Sequence, residues 1–326
     1  MACRLRVAFG GITAEPAIFY YFLAIFLLYS VFQPTVFSKV CSEYLEDLGD
    51  PNITCDNVGV MNTSAAQKVN HLINADTNYW IKMSSICATL TSLVGDMVMG
   101  SWGDAFGRRL PLLLPSIGGL LATAVYLALV NIPTMGVAWL CVASLVSGIF
   151  GGYTGVVAAS FAYISEVVEP ASRSRRVSLA EGCIFLAATI GPFLSAALYS
   201  NLGNTGVFIL HGLCHLINLA FTLHLPETRK NKQPKSLRGL FSFSHFYESM
   251  RTVAAPRKGK YRAALISLLW AFFIFGTLSN GELDTLYLFL ADTLGQEVSA
   301  TLFQLITGFK NCIAALALLF FLPFLK

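Results

Sequence analysis

Charge is scarce in this sequence. Asp, Glu, Lys and Arg make up 12% of its 326 residues, about half the share usual in soluble domains. None of the four occurs between Leu110 and Ser165, or between Gly182 and Pro226. A water-soluble domain of this size has too little interior to hide such runs. There is also no CxxC pair and no HExxH run, which argues against a zinc or redox centre. No enzyme nucleophile or phosphate-binding loop stands out, so an enzyme is disfavoured and neither a metal nor a cofactor is expected. Apolar side chains are what the chain has in quantity, at 55% of residues, and they point to a bilayer.

Each uncharged run is long enough for two membrane helices, at about 20 residues per crossing. Backbone polar groups in lipid must be bonded internally, so each run reads as helix, turn, helix. Phe19–Phe37 is apolar and aromatic and too long for a signal-peptide core, which makes it a retained first span. Eight spans are expected, near 16–37, 79–102, 110–130, 136–164, 178–200, 206–225, 262–283 and 302–324. The fold class is an all-α membrane protein.

Lys and Arg set the expected orientation. Arg4 and Arg6 precede span one, Arg108 and Arg109 follow span two, and Arg173, Arg175 and Arg176 follow span four. A basic loop from Arg229 to Arg262 follows span six. Eighteen of the 22 basic residues fall on that one side, so the N-terminus and the basic loop are expected in the cytosol. The net charge of +4 then suits anionic inner-leaflet lipid and gives no reason to expect nucleic acid. The loop 38–78 is expected outside. It carries two glycosylation triplets, at Asn52 and Asn62. Cys41 and Cys55 share it and are candidates for a short-ring disulfide in an oxidising space.

Between spans two and three stands Gly100-Ser-Trp-Gly-Asp104-Ala-Phe-Gly107-Arg108-Arg109. It resembles the signature of the major facilitator superfamily in the same position. The resemblance implies a latch that holds one conformation, formed by Gly100, Asp104, Gly107, Arg108 and Arg109. The two glycines suit a tight turn and close helix approach. Ser165-Glu166-Val-Val-Glu169-Pro170-Ala-Ser-Arg173 repeats the acid-then-arginine logic after span four, adding Glu166 and Arg173 to the latch. Pro226-Glu227-Thr228-Arg229 ends span six as in many facilitators. The implied architecture is a six-helix bundle over residues 1–226, a cytosolic linker over 227–261, and a partial second half over 262–326.

Further short stretches resemble solute carrier family 46, the family of the proton-coupled folate transporter. These are Glu15-Pro-Ala-Ile18, Phe161-Ala-Tyr-Ile164-Ser-Glu166, Leu179-Ala-Glu181 and Leu283-Asp-Thr-Leu-Tyr287. The resemblance implies proton-coupled uptake of an organic anion such as folate, by a monomer or weak oligomer in the plasma or an endolysosomal membrane. Twelve spans are usual in the superfamily, so a C-terminally truncated chain is expected. Rival readings are a sugar-like or drug-efflux facilitator, and a non-transporting membrane scaffold or decoy.

Proton coupling needs an acid or base inside the membrane that can load and release a proton. Intramembrane charges are functional candidates by default. Glu181 at the start of span five matches a coupling glutamate of the folate transporter, and its alternative is an interfacial pair with Arg175 or Arg176. Asp96 in span two faces a cavity or braces the latch. His245 in the linker matches a loop histidine linked to proton access. Lys310 in span eight is placed to meet an anionic substrate, or to neutralise Glu282 or Asp284. His211 and His215 share one face of span six and read as a packed polar seam rather than a proton relay. One departure stands out. Thr277 occupies the place of a span-seven histidine of the folate transporter, and a hydroxyl does not titrate.

Overall fold

The computed structural model describes residues 13–48, 54–55, 58, 64–228, 247, 251, 261–294 and 296–321. All regular structure among them is helical: α1 Glu15–Leu48, α2 Ser64–Phe106, α3 Arg109–Asn131, α4 Trp139–Ile149, α5 Gly152–Val167, α6 Pro170–His224, α7 Tyr261–Leu294 and α8 Gln296–Phe321. Among the described residues, five segments are long and apolar enough to cross a bilayer: Glu15–Glu46, Gln67–Gly100, Arg109–Asn131, Trp139–Val167 and Pro170–His224. The expected span seven falls within α7, and the part of expected span eight among the described residues, 302–321, falls within α8.

The bundle carries large apolar side chains on its outer face as well as in its core. Large apolar side chains such as Leu90, Val94, Leu121, Leu213 and Leu216 are exposed, while Ser116, His211, His215 and Asn218 are buried. This is the pattern of helices that meet lipid outside and pack polar and small side chains inside. α1 lies at the centre, burying Ile18, Tyr21, Leu27, Val31 and Phe37, mainly against α6. Close approach there depends on Gly191, where a Cβ would stand 2.7 Å from the Phe26 Cβ.

Two departures from the expected spans have local causes. Span four is two helices, because Gly151 and Gly152 take φ of +93° and +49° and interrupt the ladder between α4 and α5. Spans five and six are the two helical arms of α6, which meet at a sharp kink at Gly203 (φ +60°, ψ −161°). That backbone region is almost exclusive to glycine. α1 and α2 also run well past the expected bilayer spans. Apolar runs mark the length in lipid, and strong helix formers such as Ala65, Ala66, Gln67 and Lys68 carry the helix on.

At the end reached by these extensions, the structure joins Cys41 to Cys55. The Tyr44 hydroxyl donates to Asp76 at 2.6 Å. Lys39 donates to the Pro133 carbonyl at 2.8 Å, and Glu43 accepts from the Val137 amide at 3.0 Å. α7 meets α1 and α2 at the same end. Tyr287 sits edge-on to Phe37 at 6.0 Å and to Phe303 at 5.8 Å, and Asn70 donates to Asp292 at 2.5 Å. The other end of α7 differs, with Tyr261, Leu268, Leu269 and Trp270 exposed.

Candidate functional site

The signature turn between α2 and α3 is built on Gly107, at φ +111°. Its tightness places the Arg108 and Arg109 amides and side chains against two other elements. Arg108 Nε donates to Glu166 Oε1 of α5 at 2.9 Å. The Arg108 amide donates to Thr228 Oγ1 and the Arg109 amide to Glu227 Oε1, each at 3.3 Å. The Arg109 guanidinium donates to the Leu223 carbonyl at the end of α6. Tyr163 of α5 donates to the Pro226 carbonyl at 3.1 Å. The turn therefore ties the ends of α2, α3, α5 and α6 together. The Arg108–Glu166 pair is partly solvated, at 15% and 27% side-chain exposure. It is thus weak enough to open, as surface pairs contribute about 0–1 kcal/mol.

Several expected latch residues are placed differently. A Cβ on Gly100 would meet nothing within 4 Å, so Gly100 is not a point of close approach. Gly103 takes that role, lying 2.9 Å from the Arg108 guanidinium by the same measure. Glu166 pairs with Arg108 rather than Arg173, which is exposed on the first turn of α6. The side chains of Asp104, Glu282, Asp284 and Thr277, together with His245, Asn52 and Asn62, lie outside the described residues. Glu227 and Thr228 were missed as partners. Their signal in the sequence was the Pro-Glu-Thr-Arg ending, read only as a helix stop.

Among the other candidates, Glu181 is exposed on α6. Arg176 bonds Glu15 of α1 at 2.9 Å, which removes it as the expected alternative partner of Glu181. Glu15 in turn accepts from the Thr13 amide and hydroxyl. Asp96 joins α2 to α5. Its Oδ2 accepts from Thr154 of α5, and its Oδ1 lies 3.2 Å and 2.6 Å from where Cβ atoms of Gly151 and Gly155 would be. That oxygen has no hydrogen-bond partner among the described residues. Glu181 and Asp96 therefore share no hydrogen-bond partner among the described residues.

Lys310 is half-buried on α8. One turn before it, Thr307 and Gln304 are buried, as are Ser30 and Gln33 on α1 and Ser195 on α6. These helices pack together, with Gln304 donating to the Ser30 carbonyl at 3.5 Å and Asn311 to the Ala188 carbonyl at 2.9 Å. Ser195 Oγ, Gln304 Oε1 and Thr307 Oγ1 have no hydrogen-bond partner among the described residues. Buried polar groups are costly unless bonded, so a neutral polar cluster with spare capacity marks where a ligand or water finds partners. No group of His, Cys, Asp and Glu among the described residues is arranged to hold a metal.

The comparisons with known proteins agree with this geometry. The profile of the Major Facilitator Superfamily matches residues 16–325. The rat (Rattus norvegicus) proton-coupled folate transporter is 30% identical over 67% of this chain and 47% of its own length. A lysosomal proton-coupled steroid conjugate and bile acid symporter of chicken (Gallus gallus) is 23% identical over 84% of this chain and 60% of its own. The chain thus spans about half the length of the curated relatives it matches. The crystal structure of a D-xylose–proton symporter has the same fold, with TM-score 0.54 at 14% identity, covering 93% of this chain and 68% of that one. With a profile match along nearly its whole length, the chain belongs to the major facilitator superfamily.

Proposed function

We propose that this chain is part of a secondary carrier that moves an organic anion together with protons across a plasma or endolysosomal membrane. The N-terminus and the Arg108 turn then face the cytosol, as the basic residues require. The observation that carries the reading is the latch at one end of the bundle, where Arg108 holds Glu166 and the Arg109 amide holds Glu227. Opening a partly solvated ion pair is an inexpensive way to let a bundle rock. The relatives named for proton-coupled transport of folate and of bile acids supply the substrate class. Lys310, beside the buried polar cluster, is the group suited to an anion, with Glu282 and Asp284 as its charge partners. Glu181, Asp96 and His245 are the proposed coupling groups, Asn52 and Asn62 the glycosylation sites, and residues 227–261 the linker between the six-helix unit and the partial second half.

The test is uptake of radiolabelled folate and taurocholate into proteoliposomes at about pH 5.5 and 7.4, with Glu181→Gln and Lys310→Ala beside the unaltered protein. Acid-stimulated, saturable uptake is expected. Glu181→Gln should abolish the acid stimulation, and Lys310→Ala should raise KM about tenfold or more. Absence of saturable uptake of both compounds overturns the carrier reading.

A further inference from the structure

The six-helix unit holds two histidines in its apolar interior. His211 and His215 of α6 are each 1% exposed, and their ring centroids lie 4.7 Å apart. Tyr21 of α1 meets the His215 ring edge-on at 5.2 Å, and Tyr126 of α3 meets His211 at 6.4 Å. α3 is hollowed to admit them, since a Cβ on Gly119 would lie 2.3 Å from His215 Nε2.

The hydrogens can be assigned. The Thr123 hydroxyl donates to the Gly119 carbonyl at 2.7 Å, and it has a single hydrogen to give. It is therefore the acceptor in its 2.7 Å contact with His211 Nδ1. His211 thus carries its hydrogen on Nδ1 and keeps its basic lone pair on Nε2. Neither ring nitrogen of His215 has a hydrogen-bond partner among the described residues. Leaving such groups buried and unmet costs about 1–3 kcal/mol each, which a phenylalanine at this position would avoid. The seam continues along α6. Asn218 donates to Ser116 at 2.7 Å, and Thr222 donates to Asn218 at 3.2 Å. The next residue, Leu223, gives its carbonyl to Arg109 of the latch.

We propose that His211 and His215 form a proton-binding site in the interior of the bundle that takes up one proton between them. A proton from water adds to a free ring lone pair, and the new N–H is available to the other ring. Release returns the proton to water. Two adjacent imidazolium charges in an apolar interior repel, which limits the pair to one. The titratable groups that bear on it are Tyr21 from α1, Tyr126 from α3, and Asp96 of α2 through its field on Tyr21. Glu166 of α5 is engaged by Arg108, and α8, with Lys310, packs on the first half of α6. The purpose assigned to the site rests on the proton-coupled reading above, while its existence does not.

The test is nitrogen-15 NMR of the chain in nanodiscs, labelled at histidine, from about pH 8 to 4.5. The exposed His71 and His224 serve as references. One imidazolium signal should appear from the pair on acidification and be lost in both His211→Gln and His215→Gln. Thr123→Ala should release the fixed tautomer of His211, and Thr123→Ser should restore it. Both rings staying neutral throughout, or titrating independently with the exposed references, overturns the site. If the histidine variants fail to fold, absence of any imidazolium signal beyond those of the other histidines in the unaltered protein down to about pH 4.5 overturns it equally. Loss of acid-stimulated uptake in the unaltered protein would count against the carrier reading alone.

Discussion

Gly107 and Gly100 belong to the same signature, yet they do different work. At Gly107 a side chain would face a φ of +111° and the Glu227 carboxylate, 2.1 Å from the new Cβ. Gly107→Ala should therefore cost about 1–3 kcal/mol and open the turn, lowering the melting temperature of the purified protein. Gly100 is helical with open space around it. Gly100→Ala should be neutral or stabilising by up to about 1 kcal/mol, as alanine favours a helix. A melt of the two variants side by side checks both. The spacing Gly-x-x-x-Asp-x-x-Gly-Arg-Arg was readable in the chain. Which glycine meets a neighbour was not, because that depends on Glu227, 120 residues further on.

The spans were legible as elements, since their signal is long-range absence of charge and needs no partner. Their joints were less so. Gly203 is a plain glycine in the sequence, and so are Gly151 and Gly152 between α4 and α5. Only their positive φ values show that they break helices. A Cβ at Gly203 would meet nothing within 4 Å, so the cost of Gly203→Ala is purely that of the backbone, about 1–3 kcal/mol. It should appear as reduced folded yield, with Gly182→Ala, also in open space, as the neutral control. Pairings between elements were the least legible. Arg176 lies close in sequence to Glu181 but bonds Glu15, 161 residues away. Glu166 likewise reaches Arg108 across the bundle rather than Arg173 nearby.

Over the whole molecule, polar ties fasten both ends of the bundle among the described residues, and the covalent one lies at the Cys41 end. The Cys41–Cys55 bridge closes a ring of sequence separation 14, and rings near this size stabilise by about 3 kcal/mol. Cys41→Ser should lower the melting temperature by an amount that a reducing agent reproduces in the unaltered protein. A non-reducing gel would show the same loss of the bridge. Lys39 and Glu43 both grip the turn that joins α3 to α4. That grip rivets α1 to the α3–α4 turn at two points, so the two should travel together. Spin labels at Ser42 and Thr134, which spare both contacts, should hold one separation from acid to neutral pH.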